Sequence, residues 1–504
     1  MNEPIVVIGA GFGGLAAAVR LRARGHRVLV LEAGDQPGGR ARVFHRDGYT
    51  FDAGPTVITA PYLLDELFQL VGRDPNDYYE LMPVDPFYRV HFPDGRHFDY
   101  VGEEDRLLEQ IGKFSLRDVD GYRRMVVHAK KIFEKGYVEL ADVPFSRMSD
   151  MLRIAPSLVK LSAYRSVWSL VAKYIKDEAL RQVFTFQPLL VGGNPFRVPG
   201  IYLLIHWLER EWGVHFAKGG THALIQALVR LLGDLDVEVR LSAPVAEIVV
   251  EQGRTRGVIL ESGERIDASA VVSNADPSTV YTRLIAPEHR RRNSDRAVGR
   301  KRQSMSLFVA YFGAKKLYPE IAHHSIILGP RYRGLLTDIF DRKVLAEDFS
   351  LYLHAPTRTD PSLAPPGHEG FYVLSPVPNQ RSGIDWSQES EGYLDRLLTF
   401  LDRQYLPDLK ANLTTAFSVD PRYFEHDMRS YVGAAFGPEP VLTQSAYFRY
   451  HNRCKDVKDL YFVGAGVHPG AGVPGVLCSA KVLDHVVAPP ERAIPLPTPA
   501  RKAG

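Results

Sequence analysis

The sequence predicts an α/β fold organised around a dinucleotide-binding unit in residues 4–40, on three observations. Residues 5–8 form a short β-branched apolar run, as a buried parallel strand requires. Gly9, Gly11 and Gly14 follow at the G-x-G-x-x-G spacing and lead into a helical stretch over 15–24. A second apolar strand over 26–31 then ends on Glu32, 18 positions beyond Gly14.

Each residue type in this unit has a physical task. Gly9 permits a tight turn, and Gly11 lets a pyrophosphate approach the backbone. Gly14 allows helix and strand to pack closely. The helix N-terminus offers unpaired N–H groups and partial positive charge to phosphate. Glu32 stands where a carboxylate accepts from ribose hydroxyls.

The chain has 504 residues, enough for two or three structural units and a large core. Its net charge of +3 is too small to imply a nucleic-acid partner. Two cysteines, Cys454 and Cys478, make no disulfide framework and no cysteine metal site, which suits a reducing cytosol. No metal-ligating, Ser-His-Asp or paired-carboxylate constellation stands out. The glycine-broken N-terminus does not read as a secretory signal, and no apolar run is long enough to span a bilayer.

Further along, Gly54 and Pro55 mark a turn before a helix over 61–71. Residues 88–92 alternate as a strand. Residues 107–190 read as mostly helical, and 222–232 as a helix opened by Gly219 and Gly220. Strands follow at 237–241, 245–251, 255–260 and 270–272, and strands and helices alternate from 305 to 420. Seven basic residues in 290–302 face one acid, Asp295. They read as a solvated face or, alternatively, as a surface for anionic lipid. The strand at 460–463 runs into a second glycine-rich turn and a helix from 476. Residues 488–504, rich in Pro and Ala, read as a disordered tail.

Two sets of residues carry a resemblance. Gly38, Gly39 and Arg40, eight positions beyond Glu32, resemble the second FAD signature of the amine oxidase and carotenoid desaturase superfamily. The run from Leu460 to Lys481 closely resembles the C-terminal signature of bacterial-type phytoene desaturases. So do residues 190–196, His323-His324 through Tyr332, 345–356 and 439–446. Cys478 and Val467 depart from the family pattern, where glycine and threonine are common, and both are conservative in size.

The resemblance implies a Rossmann-type, discontinuous FAD-binding domain (1–80, 216–289 and 455–487). It further implies a mixed-sheet substrate domain (81–106 and 290–454) and a helical cap (107–215) that meets membrane lipid. By family correspondence Gly9, Gly11, Gly14, Glu32, Gly38, Gly39, Arg40, Val245, Gly464 and Gly466 contact FAD. Gly54, Pro55, Val473, Pro474 and Gly475 lie near the flavin ring or the phosphates.

The implied reaction removes hydrogen from the hydrophobic C40 polyene 15-cis-phytoene, giving neurosporene or lycopene. A hydride goes to FAD, a neighbouring proton is lost, and oxygen or a quinone takes the electrons. The implied location is peripheral, on the cytoplasmic face of the inner membrane. The alternatives are a C30 or hydroxylated-carotenoid desaturase, an isomerase, an oxidase of polar amines, or a prenyl-lipid carrier without chemistry. For the proton acceptor, Asp150 and Arg153 stand one helical turn apart, so that the Arg could hold the carboxylate ionised.

Overall fold

The computed structural model describes residues 3–497. Five parallel strands form the nucleotide-binding sheet, in the order Leu460–Phe462, Ala270–Ser273, Ile5–Ile8, Val28–Leu31, Glu238–Arg240. They come from three separated stretches of chain. The central strand Ile5–Ile8 is buried on both faces, which explains its unbroken apolar run.

The helix Phe12–Ala23 lies on this sheet against the helices Thr221–Asp234 and Val473–Lys481. It is apolar nearly all round because it is covered on every side. It buries two arginines: Arg20 donates to Glu66 and Asp484 at 2.8 Å each, its Nε unpartnered, and Arg22 donates through Nε to the Leu235 carbonyl at 3.0 Å. A three-stranded antiparallel excursion, Val245–Glu251, Arg254–Leu260 and Arg265–Asp267, hangs from the sheet edge.

The second large sheet is mixed and has seven strands. Its order is Leu413–Val419, Ser306–Ala314, Glu369–Val377, Leu351–His354, His324–Ile327, Tyr88–His91, His97–Tyr100. Only the pairing of His324–Ile327 with Tyr88–His91 is parallel. An aromatic core under this sheet, including Tyr88, Tyr100, Tyr122, Phe184 and Phe186, joins it to the helices of 104–212.

Those helices are shorter than a single 107–190 run. The chain turns at Ser115 and Pro144 and yields Glu104–Phe114, Leu116–Phe133 and Met148–Lys160, then single turns. No helix among the described residues is long and apolar enough to cross a membrane.

One expectation is corrected here. The tail is not loose throughout: Arg22 donates to the carbonyls of Ile494 and Pro495 at 2.9 and 2.6 Å, and Ile494 N–H bonds Gly25. A buried guanidinium needs those carbonyls, so residues 488–497 are held to the domain, while 498–504 lie outside the described residues. The basic stretch of 290–302 is largely the solvated face expected, with Arg291, Arg292, Arg296, Arg300 and Arg302 exposed. Arg290 is buried on the Ile285 carbonyl and paired with Asp295, and Arg302 pairs with the buried Glu439.

Candidate functional site

Two glycine turns face each other across Asn274, at the C-terminal ends of the parallel strands. Gly9 has a positive φ of 95° and Gly464 one of 97°. A Cβ on Gly464 would stand 2.6 Å from the Asn274 amide oxygen, and one on Gly11 2.9 Å from its nitrogen. Asn274 thus knits the two turns, a role without a motif to announce it in the sequence. Gly14 sits behind them: its Cβ would lie 1.9 Å from the Gly9 carbonyl. It therefore serves strand–helix packing and does not reach the cavity. Gly466 is likewise set back, its Cβ blocked at 2.3 Å by Pro277. The remaining residues assigned to the cofactor all line one cavity.

Glu32 accepts from the Ala10 N–H at 2.7 Å and the Gly34 N–H at 2.9 Å. An ionised carboxylate has about four lone-pair sites, so two remain for ribose hydroxyls. Val245 stands just beyond, where Ala243 N–H bonds the Glu32 carbonyl. Gly38 closes the turn, its N–H on the Ala10 carbonyl. Arg40 follows with Nη2 on Ser430 at 2.8 Å and a buried Nε that has no partner. Desolvation lowers the Arg40 pKa and Asp276 opposes that shift.

These features fit FAD. Gly11 and Gly472 begin helices without a side-chain cap, so both offer bare N–H groups to anionic or electron-rich atoms. The unpartnered Arg40 Nε supplies a donor for a pyrophosphate oxygen in the same cradle.

From this cradle the cavity continues without a break into an apolar channel, with a total volume of about 1150 Å³. The channel walls come from the seven-stranded sheet (Leu307, Ile326, Tyr352, Leu374) and the helices (Ile154, Leu158, Leu204, Leu208). Tyr372 donates to the Gly54 carbonyl at 3.0 Å, and Tyr352 and Thr56 hydroxyls meet at 2.7 Å. These bonds fix the Gly54–Thr56 turn at the junction of cradle and channel.

The Asp150–Arg153 pair is not assembled. Asp150 accepts from the Arg147 N–H at 2.9 Å, as a helix N-terminal turn demands, and no ion pair joins it to Arg153. Neither residue lines the cavity, because the helix turns the opposite face, with Met151, Ile154 and Leu158, inward.

A different carboxylate does reach it. Glu209, on helix Leu204–Trp212, is 1% exposed and lines the channel. Its Oε1 accepts from Tyr88 at 2.8 Å and its Oε2 has no hydrogen-bond partner. Desolvation pushes its pKa up to about 8, against the hydrogen bonds that favour ionisation. Glu209 lies between Leu208 and Arg210 in an amphipathic helix, and the sequence offers nothing to separate it from a surface glutamate.

The sheet also gathers a cluster that sequence spacing concealed. His323, His324 and His354 are buried together, with ligand-competent nitrogens within 4.8 Å of one another.

The fold and the cradle define a flavin-dependent oxidoreductase. The sequence profile of the flavin containing amine oxidoreductase family matches residues 12–481, and the chain belongs to that family. FAD is its cofactor. It is similar along nearly its whole length to curated desaturases. It is 50% identical to the phytoene desaturase (lycopene-forming) of Pseudescherichia vulneris, covering 94% of this chain and 97% of that protein. It is 42% identical to the phytoene desaturase (neurosporene-forming) of Rhodobacter capsulatus, covering 96% and 93%. Among solved structures, an oxidoreductase from Methanosarcina mazei superposes with a TM-score of 0.65 at 19% identity, covering 96% of this chain and all of that one. A putrescine oxidase bound to putrescine gives 0.63 at 16%, covering 97% and 100%. These two likenesses concern the fold alone.

Proposed function

We propose that this protein desaturates phytoene with FAD as cofactor, carrying the series to lycopene. The observation that carries this reading is the single cavity that joins a nucleotide cradle to an apolar channel. Its 1150 Å³ exceeds the roughly 300–1,000 Å³ of single-ligand sites. Its glycine-lined end and its apolar end are the two environments that a dinucleotide and a long polyene require. Lycopene is favoured over neurosporene because the relatives at 49–50% identity are lycopene-forming and those at 42% neurosporene-forming.

Bound FAD supplies the hydride acceptor. The chain's own residues do the rest. The apolar walls hold the polyene extended and exclude water, and the Tyr352–Thr56 and Tyr372–Gly54 bonds hold the turn where channel meets cradle. Loss of the hydride leaves an allylic cation, and a neighbouring C–H must then give up its proton. Glu209 takes this role in place of Asp150, since it is a carboxylate on the channel wall with a free oxygen. Tyr88 holds it in position.

The mouth of the channel is proposed to rest on membrane, at the cytoplasmic face of the inner membrane. The helix Met148–Lys160 presents one face to the cavity, with the exposed Val159 at its rim, and exposes Met148 and Leu152 on the other, among Arg147, Arg153 and Lys160. An apolar face ringed by cations suits an anionic bilayer surface. Met148→Glu with Leu152→Glu should abolish flotation with anionic liposomes while the flavin spectrum stays unchanged. Undiminished flotation would remove this surface from the interface.

The function is tested by incubating the FAD-loaded protein with phytoene in liposomes and resolving the products by chromatography, with oxygen or a quinone supplied in separate arms. Coloured, stepwise-desaturated products are expected. Recovery of phytoene alone under both acceptors would overturn the reading.

A further inference from the structure

The antiparallel strands His324–Ile327 and Leu351–His354 place His324 directly opposite His354. His323, one position before the first strand, completes a triangle with ring centroids 4.4, 4.8 and 5.4 Å apart. The exposures are 5, 0 and 0%. All three Nε2 atoms are buried without a hydrogen-bond partner, as is the Nδ1 of His354. Buried polar atoms are nearly always paired, so unpartnered nitrogens from three rings, one from each lying within 4.8 Å of the others, point to an occupant.

We propose that His323, His324 and His354 form a binding site for a divalent first-row transition metal that prefers nitrogen ligands, of the Zn²⁺ type. Imidazole sets of three suit such ions, leaving a further coordination position. Two of the three rings are already arranged as in metal sites, where the second ring nitrogen is tied to a fixed partner. His323 Nδ1 meets Thr359 Oγ1 at 2.5 Å and His324 Nδ1 meets the Tyr352 hydroxyl at 2.7 Å.

Nitrogens bound tetrahedrally at 2.0–2.1 Å stand about 3.4 Å apart, so the rings close in modestly from their present spacing. No carboxylate belongs to the triangle. A bound ion would fix the His324 ring, hence the Tyr352 hydroxyl, hence Thr56 on the wall of the reaction cavity. The site is thus a clamp behind that wall. It stands apart from the desaturase reading and does not depend on it.

The test uses tag-free, FAD-loaded protein, stripped with a chelator, equilibrated with Zn²⁺ and passed through gel filtration. Elemental analysis should return about one zinc per chain. X-ray absorption at the zinc edge should show nitrogen neighbours at about 2.0–2.1 Å with imidazole scattering. His354→Ala and His323→Gln should each reduce the metal to under about a tenth of an equivalent, with flavin content unchanged. Wild-type protein that holds FAD but no zinc would overturn the proposal. So would a zinc shell of oxygen or sulfur alone, a result that needs no variant to fold. Full zinc retention in a flavin-loaded His354→Ala would also overturn it.

Discussion

Glu209→Gln should make the protein more stable and less active at the same time. The amide keeps the shape of the side chain and removes its ionisation. In the folded chain desolvation raises the Glu209 pKa from 4.5 to about 8. The folded value is the higher one. The stabilisation from this group is therefore complete below pH 4.5 and is lost as pH climbs through about 8. Within that window the loss is about 1.4 kcal/mol per pH unit, hence about 3 kcal/mol at pH 7. Glutamine has no such loss. Its amide does place an N–H₂ where the unpartnered Oε2 stood, which costs about 1 kcal/mol. The net gain at pH 7 is about 2 kcal/mol. With an unfolding entropy of about 2 cal/mol/K per residue, that raises Tm by about 2 °C in a chain of this length. Thermal unfolding of the FAD-loaded variant and parent should be compared from pH 5 to 8. The difference in Tm should grow with pH. A difference that is flat across this range would refute the buried, neutral carboxyl. On the same samples, turnover of the parent should rise toward pH 8 as the acceptor ionises, and the variant should fall about 10²-fold or more. Unchanged turnover would remove Glu209 from the reaction and leave its burial intact.

Asp150→Asn should keep turnover within about a factor of two and cost under about 1 kcal/mol, the weight of a helix-terminal hydrogen bond; a 10²-fold loss of turnover would restore it to the chemistry. Arg40→Met should weaken FAD binding about 10- to 100-fold in a fluorescence titration, since a charge-assisted contact to phosphate goes with it. Unchanged affinity would mean that the unpartnered Nε serves another group. Gly14→Ala drives a Cβ to 1.9 Å from the Gly9 carbonyl, so strand and helix must separate. Soluble, FAD-loaded protein in normal yield would contradict that packing.

The sequence by itself determined the cradle. Gly9, Gly11, Gly14 and Glu32 are close in the chain, and their spacing is set by the local geometry of one strand, one turn and one helix. Such short-range constraints leave a readable pattern. The second turn at Gly464 was legible for the same reason, and the long match to related chains tied the two together. Asn274, which knits these turns, carries no pattern of its own, because a single asparagine acts only through what is folded against it.

The chemistry beyond the cradle was decided by tertiary structure. Asp150 and Arg153 had the right spacing for a pair, yet spacing does not say which face of a helix looks inward. Packing turned Ile154 and Leu158 to the cavity and left the charges outside. Glu209 became special only because Tyr88, from a distant strand, and the aromatic core removed water from around it. His354 stands thirty positions from His324, and only the register of two antiparallel strands sets them side by side. Desolvation and strand register are properties of the assembled molecule, so the proton acceptor and the histidine triangle could be read only there.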